Sequence, residues 1–267
     1  MKILAVDFDG VISDSALKSL FVSHNAYCKY FGSKVKKNFG GKLFTFENWE
    51  EMKKEHKKEM DYYHRLRSYI ELSGDFFAII KIMEEQIRIK DQQAFITYRN
   101  QLQFNYHFFR ELFFQEKEKW QKKNFKKWFF LSPVFKEVVK GIQRFTKEGQ
   151  KVVIASSNLG EAIHRAFQAE YLGFEIDIED IFDKNFGKHK AEHMQAIAKK
   201  YGVRLNEIYF IDDQLSYLKG TDVLGVHVFL AGWGYCTESQ KEEARKEKIT
   251  VIEEEKDFYP VLKQILS

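Results

Sequence analysis

The chain has 267 residues, 44% of them hydrophobic and 31% charged, with a formal net charge of +4. That length can bury one large core or two smaller ones, and the composition is that of an ordinary soluble protein. A charge this small does not argue for nucleic acid; it suits a shallow basic funnel for anionic substrates. The two cysteines, Cys28 and Cys236, lie far apart with no metal-ligand spacing. A disulfide framework is therefore not expected, and a reducing cytoplasmic setting is. Met1 leads straight into an apolar strand, where removal of a leader would delete Asp7, so no signal peptide is expected. No uncharged apolar run is long enough to span a bilayer.

The first element is that strand, Ile3-Leu4-Ala5-Val6, which ends in Asp7-Phe8-Asp9-Gly10. Two carboxylates one residue apart repel each other and lose solvation unless a cation or a reacting group compensates them. Phe8 points to the opposite face of the strand, so Asp7 and Asp9 can converge on one cavity. Gly10 lets the backbone turn away from the sheet.

Residues 16–130 differ in texture. Charged runs such as Glu50-Glu51-Met52-Lys53-Lys54-Glu55 alternate with aromatic clusters, and apolar residues recur at helical spacing: Phe76-Phe77, Ile79-Ile80, Ile82-Met83, then Phe104, Phe108-Phe109, Leu112-Phe113. Gly40-Gly41 and Ser73-Gly74-Asp75 are the expected breaks. With 26 Phe and only 2 Pro in the whole chain, long helices packed through large rings are expected. An apolar patch on such a segment could pack against a second copy, which leaves a homo-oligomer open.

From 131 onward the pattern becomes strand, helix, strand. Ser132-Pro133 reads as a helix start, predicting a helix over 134–147. A strand over 152–155 ends in Ser156-Ser157-Asn158. A helix over 159–172 and an Asp-rich connection follow. Next come a helix over 191–201, a strand over 208–211 ending in Asp212-Asp213, a strand over 226–230, a strand over 250–252 and a helix over 258–266. Alternation at this spacing implies an α/β fold with a parallel sheet and right-handed crossovers, its site at the carboxyl ends of the strands. The first strand must join that sheet, so the helical segment is an insertion. The expected division is a core domain of 1–15 with 131–267 and a helical domain of 16–130.

Four elements in order (Asp7-Phe8-Asp9-Gly10, Ser156 at a strand end, Lys188 or Lys190 before a helix, Asp212-Asp213 at a strand end) resemble the haloacid dehalogenase-like hydrolase superfamily, in its phosphoglycolate phosphatase-like branch with a helical cap after the first motif. The resemblance covers 1–15 and about 131–235. It implies a Rossmann-like core and a Mg2+-dependent phosphatase acting on a small phosphomonoester through an aspartyl-phosphate. In that reading Asp7 is the nucleophile and Asp9 the general acid, whose presence separates phosphoryl transfer from dehalogenation. Ser156 and Lys190, with Lys188 as competitor, bind the phosphoryl group, assisted by Ser157, Asn158 and Gly10. Asp7, the Asp9 backbone carbonyl and Asp213 hold the metal; Asp212 is the alternative ligand, a partner of the ligands, or a helix N-cap. Positions 214–217 lack the further acid that such phosphatases often carry. The Gly232-Trp233-Gly234-Tyr235 stretch resembles a loop that borders the site in relatives. Arg65-Leu66-Arg67 with Glu71, Ser73 and Gly74 resembles a stretch that contributes to substrate specificity in some relatives, where Arg67 either clamps an anionic group or lies on a solvated helix face. His164, His189 and His193 form no metal-like cluster and are expected at the surface. A phosphomutase or a non-catalytic binding protein of the same fold are the alternatives. Nothing resembles a nucleic-acid-reading module.

Overall fold

The computed structural model describes residues 1–32, 38–187 and 189–266. The chain divides into two compact units, Met1–Asp14 with Pro133–Ser267, and Ser15–Ser132.

The first strand, β1 (Ile3–Val6), opens the first unit. Among the described residues the second holds seven α-helices: α1 (Ala16–Phe31), α2 (Trp49–Glu55), α3 (Lys57–Leu66), α4 (Asp75–Glu85), α5 (Gln92–Gln101), α6 (Tyr106–Lys123) and α7 (Phe125–Phe129). The first unit then continues with α8 (Lys136–Lys147), β2 (Lys151–Ala155), α9 (Gly160–Ala166), β3 (Ile181–Phe182), α10 (Lys190–Tyr201), β4 (Ile208–Asp212), α11 (Leu215–Asp222), β5 (His227–Ala231), α12 (Glu238–Lys246), β6 (Thr250–Ile252) and α13 (Phe258–Leu266).

The six strands among the described residues are all parallel, in the order β3-β2-β1-β4-β5-β6. The α/β expectation holds. β1 sits between β2 and β4, with Ile3 opposite Lys151 on one side and Ile208 on the other. A strand inside a parallel sheet is covered on both faces and reads as an unbroken apolar run; β1 is buried along its whole length. One face of the sheet presents Ile3, Ala5, Val153, Phe210 and Leu230 to Met194, Ile197 and Leu218 from the helices. From β1 the chain moves outward through β2 to β3, then returns to β4 and moves outward the other way. Ligand crevices in such sheets open at that reversal, beyond the carboxyl ends of the strands.

Several sequence-based expectations change, and α11 and α12 were not expected. The helix expected from 134 begins at Lys136, because 133–135 is held extended against 12–14: Asp14 N–H donates to Pro133 O (2.9 Å), Phe135 N–H to Ile12 O (3.0 Å), and Ser13 pairs with Val134. The helix expected over 159–172 stops at Ala166. Its remainder turns so that Phe167 is buried, edge-on to Phe8 (6.1 Å) and Phe174 (5.1 Å). The Asp-rich connection contains the two-residue strand β3, which is too short to leave a periodic signal.

In the helical unit α1 is the hub. Phe21 meets Trp120 of α6 edge-on at 5.0 Å, and Tyr27 packs on Phe77 of α4 at 5.1 Å. Geometry of this kind adds about 0.5–1.5 kcal/mol per pair beyond the buried area. The charge on buried Glu116 is met by Lys29 and by the Trp120 indole N–H (2.9 Å). Asn25 clamps the segment after α1 with two bonds, donating to Phe44 O (2.9 Å) and accepting from Phe44 N–H (2.8 Å). Arg67 is buried in this unit, its guanidinium 5.6 Å from the Phe76 ring centre. Among the described residues no helix is long and apolar enough to cross a membrane.

Candidate active site

Three strand ends and one helix start bring the functional side chains together. β1 delivers Asp7, whose N–H continues the ladder to Ile211 O of β4 at 3.0 Å. β4 delivers Asp212 and Asp213, β2 delivers Ser156, and α10 begins with Lys190. Asp7, Asp212, Asp213, Ser156 and Lys190 are all buried.

Lys190 is the centre of the charge arrangement. Its Nζ lies 2.8 Å from Asp7 Oδ1 and 3.1 Å from Asp212 Oδ2, and it donates to Ala155 O at 2.6 Å. Burial alone would lower its pKa, but Asp212 and Asp7 together hold the ammonium above its ordinary value. Burial pushes Asp7 up to about 7, with Lys190 opposing that shift and Asp212 adding to it. Of the two candidate lysines, Lys190 is the one the structure describes beside Asp7 and Asp212; Lys188 lies outside the described residues.

Asp7, Asp212 and Asp213 each place a carboxylate oxygen within 4.8 Å of the others. Three buried carboxylates exceed the single charge of Lys190, and an all-oxygen donor set of that excess charge fits a hard divalent cation such as Mg2+. The two β4 acids are held differently. Asp212 has Lys190 on Oδ2, while its Oδ1 accepts from Gln214 N–H at 2.9 Å. It is not a helix N-cap; Gln214 occupies that position before α11. Asp213 Oδ2 accepts from Tyr235 N–H at 2.8 Å. The Asp9 carboxylate is not part of the three-acid group; its Oδ2 accepts from Asn158 Nδ2 at 3.2 Å.

Two glycines give Asp213 its space. Gly10 has φ +88°, and a Cβ there would stand 2.4 Å from Asp213 Oδ2; a Cβ on Gly234 would stand 2.3 Å from Asp213 Cβ. The Gly10 N–H is taken up by Ser13 O at 2.8 Å, closing the turn that lifts the chain off β1. Ser156 Oγ accepts, at 3.4 Å, the N–H of Asn158, so the hydroxyl keeps its own hydrogen to donate. Ser157 is exposed. Arg67 belongs to the other unit.

The sequence pointed to the Gly-Trp-Gly-Tyr loop only as a wall, but the loop also does specific work. Trp233 Nε1 donates to Val11 O (3.1 Å), and the Tyr235 hydroxyl donates to Asp14 Oδ1 (2.9 Å). One loop thus ties the β4 acids to the turn after β1. Aromatic residues interleaved with glycines were the available signal. The Asn158 side-chain contact with Asp9 was also missed. His193 corrects the surface expectation: it is buried, and its Nε2 donates to Asp183 O at 3.0 Å, because a carbonyl can only accept. Asp183 itself accepts from Gly160 N–H (2.9 Å) and Asn185 N–H (2.9 Å), bracing the turn that carries Ser156. Both cysteines are free.

A family model described as haloacid dehalogenase-like hydrolase matches residues 1–218, and the chain belongs to that family. It is 29% identical over 131 residues to the enolase-phosphatase E1 of Danio rerio, a match covering 48% of this chain and 46% of that protein. The chain thus aligns with just under half the length of that relative. Solved structures that share the fold include two examples. A hydrolase from Pseudomonas syringae is 18% identical with a TM-score of 0.59, covering all of both chains. A protein titled a predicted phosphoglycolate phosphatase from Haemophilus somnus 129pt is 13% identical with a TM-score of 0.58, covering 98% of each.

Proposed function

We propose that this hydrolase is a Mg2+-dependent phosphatase that cleaves a small phosphomonoester through an aspartyl-phosphate on Asp7. The observation that carries the reading is Lys190, buried between Asp7 and Asp212, which sets a cation beside a carboxylate otherwise burdened by burial and by acidic neighbours. The phosphatase named in the Danio rerio relative is consistent with it.

In this reaction an Asp7 carboxylate oxygen attacks phosphorus, and the phosphorus–oxygen bond of the ester breaks with its electron pair passing to the leaving oxygen. Asp9 gives that oxygen its proton, releasing the alcohol. Water then attacks the phosphorus of the acyl phosphate and gives a proton to Asp9. Inorganic phosphate departs and Asp7 is again a carboxylate. Ser156 Oγ, with the Ser157 amide, donates to the phosphoryl oxygens. Lys190 holds Asp7 ionised and oriented; without it, burial and Asp212 would favour the protonated, non-nucleophilic acid. Asp7, Asp213 and the Asp9 carbonyl would hold the metal. Asp212, with both oxygens engaged by Lys190 and Gln214, would support them. Bound there, Mg2+ supplies positive charge for the phosphoryl oxygens.

We assign residues 16–130 as the cap that sets substrate choice, with Arg67 as its anion-binding candidate and 1–15 with 131–267 as the core. The point of insertion, directly after the strand bearing Asp7 and Asp9, supports this. The test is hydrolysis of p-nitrophenyl phosphate with and without Mg2+, in the wild type and in Asp7→Asn. Turnover that requires Mg2+ and vanishes in the variant is expected. Turnover that survives the substitution would sink the reading.

A further inference from the structure

Asn158 stands two residues beyond Ser156, and its side chain is committed at both ends. Its Oδ1 accepts from the backbone N–H of Leu159 at 2.8 Å, and its Nδ2 donates to Asp9 Oδ2 at 3.2 Å. The first bond decides the second. A backbone N–H can only donate, so the amide end facing it must be the oxygen, and the end facing Asp9 must be the NH2 group. The backbone carbonyl of Asn158 accepts from Lys184 N–H at 3.2 Å, so the residue is anchored in the braced turn after β2. Asp9, by contrast, follows β1 and precedes the turn at Gly10.

We propose that Asn158 is a positioning residue for Asp9: it holds Oδ2 as an acceptor, so that Oδ1 is the oxygen that carries and returns the proton. This rests on the phosphatase reading. A carboxyl group that must first give and then take a proton at one ester oxygen loses effectiveness when it rotates. The Asn158 amide gives it one fixed oxygen, and the bond to Leu159 fixes the amide. The role is distinct from phosphoryl binding, which falls to Ser156 and the neighbouring amide.

The test uses two substitutions and two esters. Asn158→Asp keeps an oxygen for the Leu159 N–H but removes the donor to Asp9, whereas Asn158→Ala removes both. Phenyl phosphate releases a poor leaving group that needs a proton; p-nitrophenyl phosphate releases one that departs without it. The readout is kcat/KM, which covers the steps up to release of the alcohol. General-acid help is worth about 10²–10⁴-fold, and its loss of aim should cost both variants roughly 10–100-fold on phenyl phosphate and under about 3-fold on p-nitrophenyl phosphate. If Asn158 serves only the turn, Asn158→Asp will match the wild type and Asn158→Ala will lose equally on both esters; either result overturns the proposal. Wild-type protein that hydrolyses neither ester, or does so no faster than Asp7→Asn, brings down the phosphatase reading itself and this inference with it. That failure is visible in the parent protein before any Asn158 variant is compared.

Discussion

Removing the Lys190 ammonium should cost the folded protein more than any surface ion pair could. Lys190→Met keeps a flexible stem of similar length and deletes a charge that lies 2.8 Å from Asp7 and 3.1 Å from Asp212, and a donor 2.6 Å from Ala155 O. All three acceptors are in the interior, where breaking a buried pair by deleting one partner costs about 3–5 kcal/mol. At about 3 °C per kcal/mol, the melting temperature of the core should fall by roughly 10–15 °C. The pH dependence has a definite sign. Asp7 moves from 3.8 to about 7 on folding. An acid raised in this way favours the fold most at low pH and loses that contribution as pH climbs from 3.8 through 7. Lys190 is the neighbour that lowers Asp7, so its removal drives Asp7 higher still and extends the window upward. The deficit of Lys190→Met should therefore be larger at pH 8 than at pH 5. Thermal and denaturant unfolding of both proteins in a chelating buffer at the two pH values reads this directly. A deficit below about 1 kcal/mol at pH 8, against the expected 3–5, would refute the reasoning, as would equal deficits at both pH values.

Gly10→Ala and Gly234→Ala should each cut hydrolysis by about 100-fold or more, since either methyl must displace Asp213 and one oriented electrostatic group is worth that much; circular dichroism separates this from loss of fold. Mg2+ at a hundred times its dissociation constant should stabilise the wild type by about 2.7 kcal/mol and Asp213→Asn by far less, read by thermal shift. His24 and His193 are each lowered from 6.5 to about 4, chiefly by burial. Their neutral forms contribute stability that is present above 6.5 and lost as pH falls toward 4, about 3 kcal/mol per histidine from a shift of that size. Denaturant titrations between pH 7 and 4 should show that loss, and His24→Asn should remove about one proton from its slope.

Much of the site could be read from residues 1–15 and from three strand ends, because a parallel strand buried on both faces announces itself as an apolar run and its polar terminus falls where the chemistry must be. Asp7 stood out by that rule, whereas Ser156, Lys190 and Asp213 were singled out through the resemblance to the haloacid dehalogenase-like superfamily, with Lys188 and Asp212 left as alternatives. The pairing partners of those residues were less legible. That Asp212 would be engaged on both oxygens follows from Lys190 lying one element away and from the turn at Gln214, neither of which a local pattern encodes. The contact between Asn158 and Asp9 joins residues 149 positions apart. His193 was expected at the surface because it belongs to no metal-like cluster, yet it lies on the face of α10 that carries the buried Met194 and Ile197. In the helical segment aromatic spacing announced helices but not their ends, since several stop on backbone turns without a distinctive capping side chain.

Asp9→Asn offers the most direct access to the central claim. With p-nitrophenyl phosphate the first step needs no proton from Asp9, while the second needs Asp9 to take one from water. Rapid-quench kinetics of this variant, followed by mass analysis of its peptides, should give a burst of one p-nitrophenolate per protein and one phosphoryl group on the peptide containing Asp7. Steady release without a burst, from a protein whose Asp7 peptide stays unmodified, would contradict an aspartyl-phosphate on Asp7.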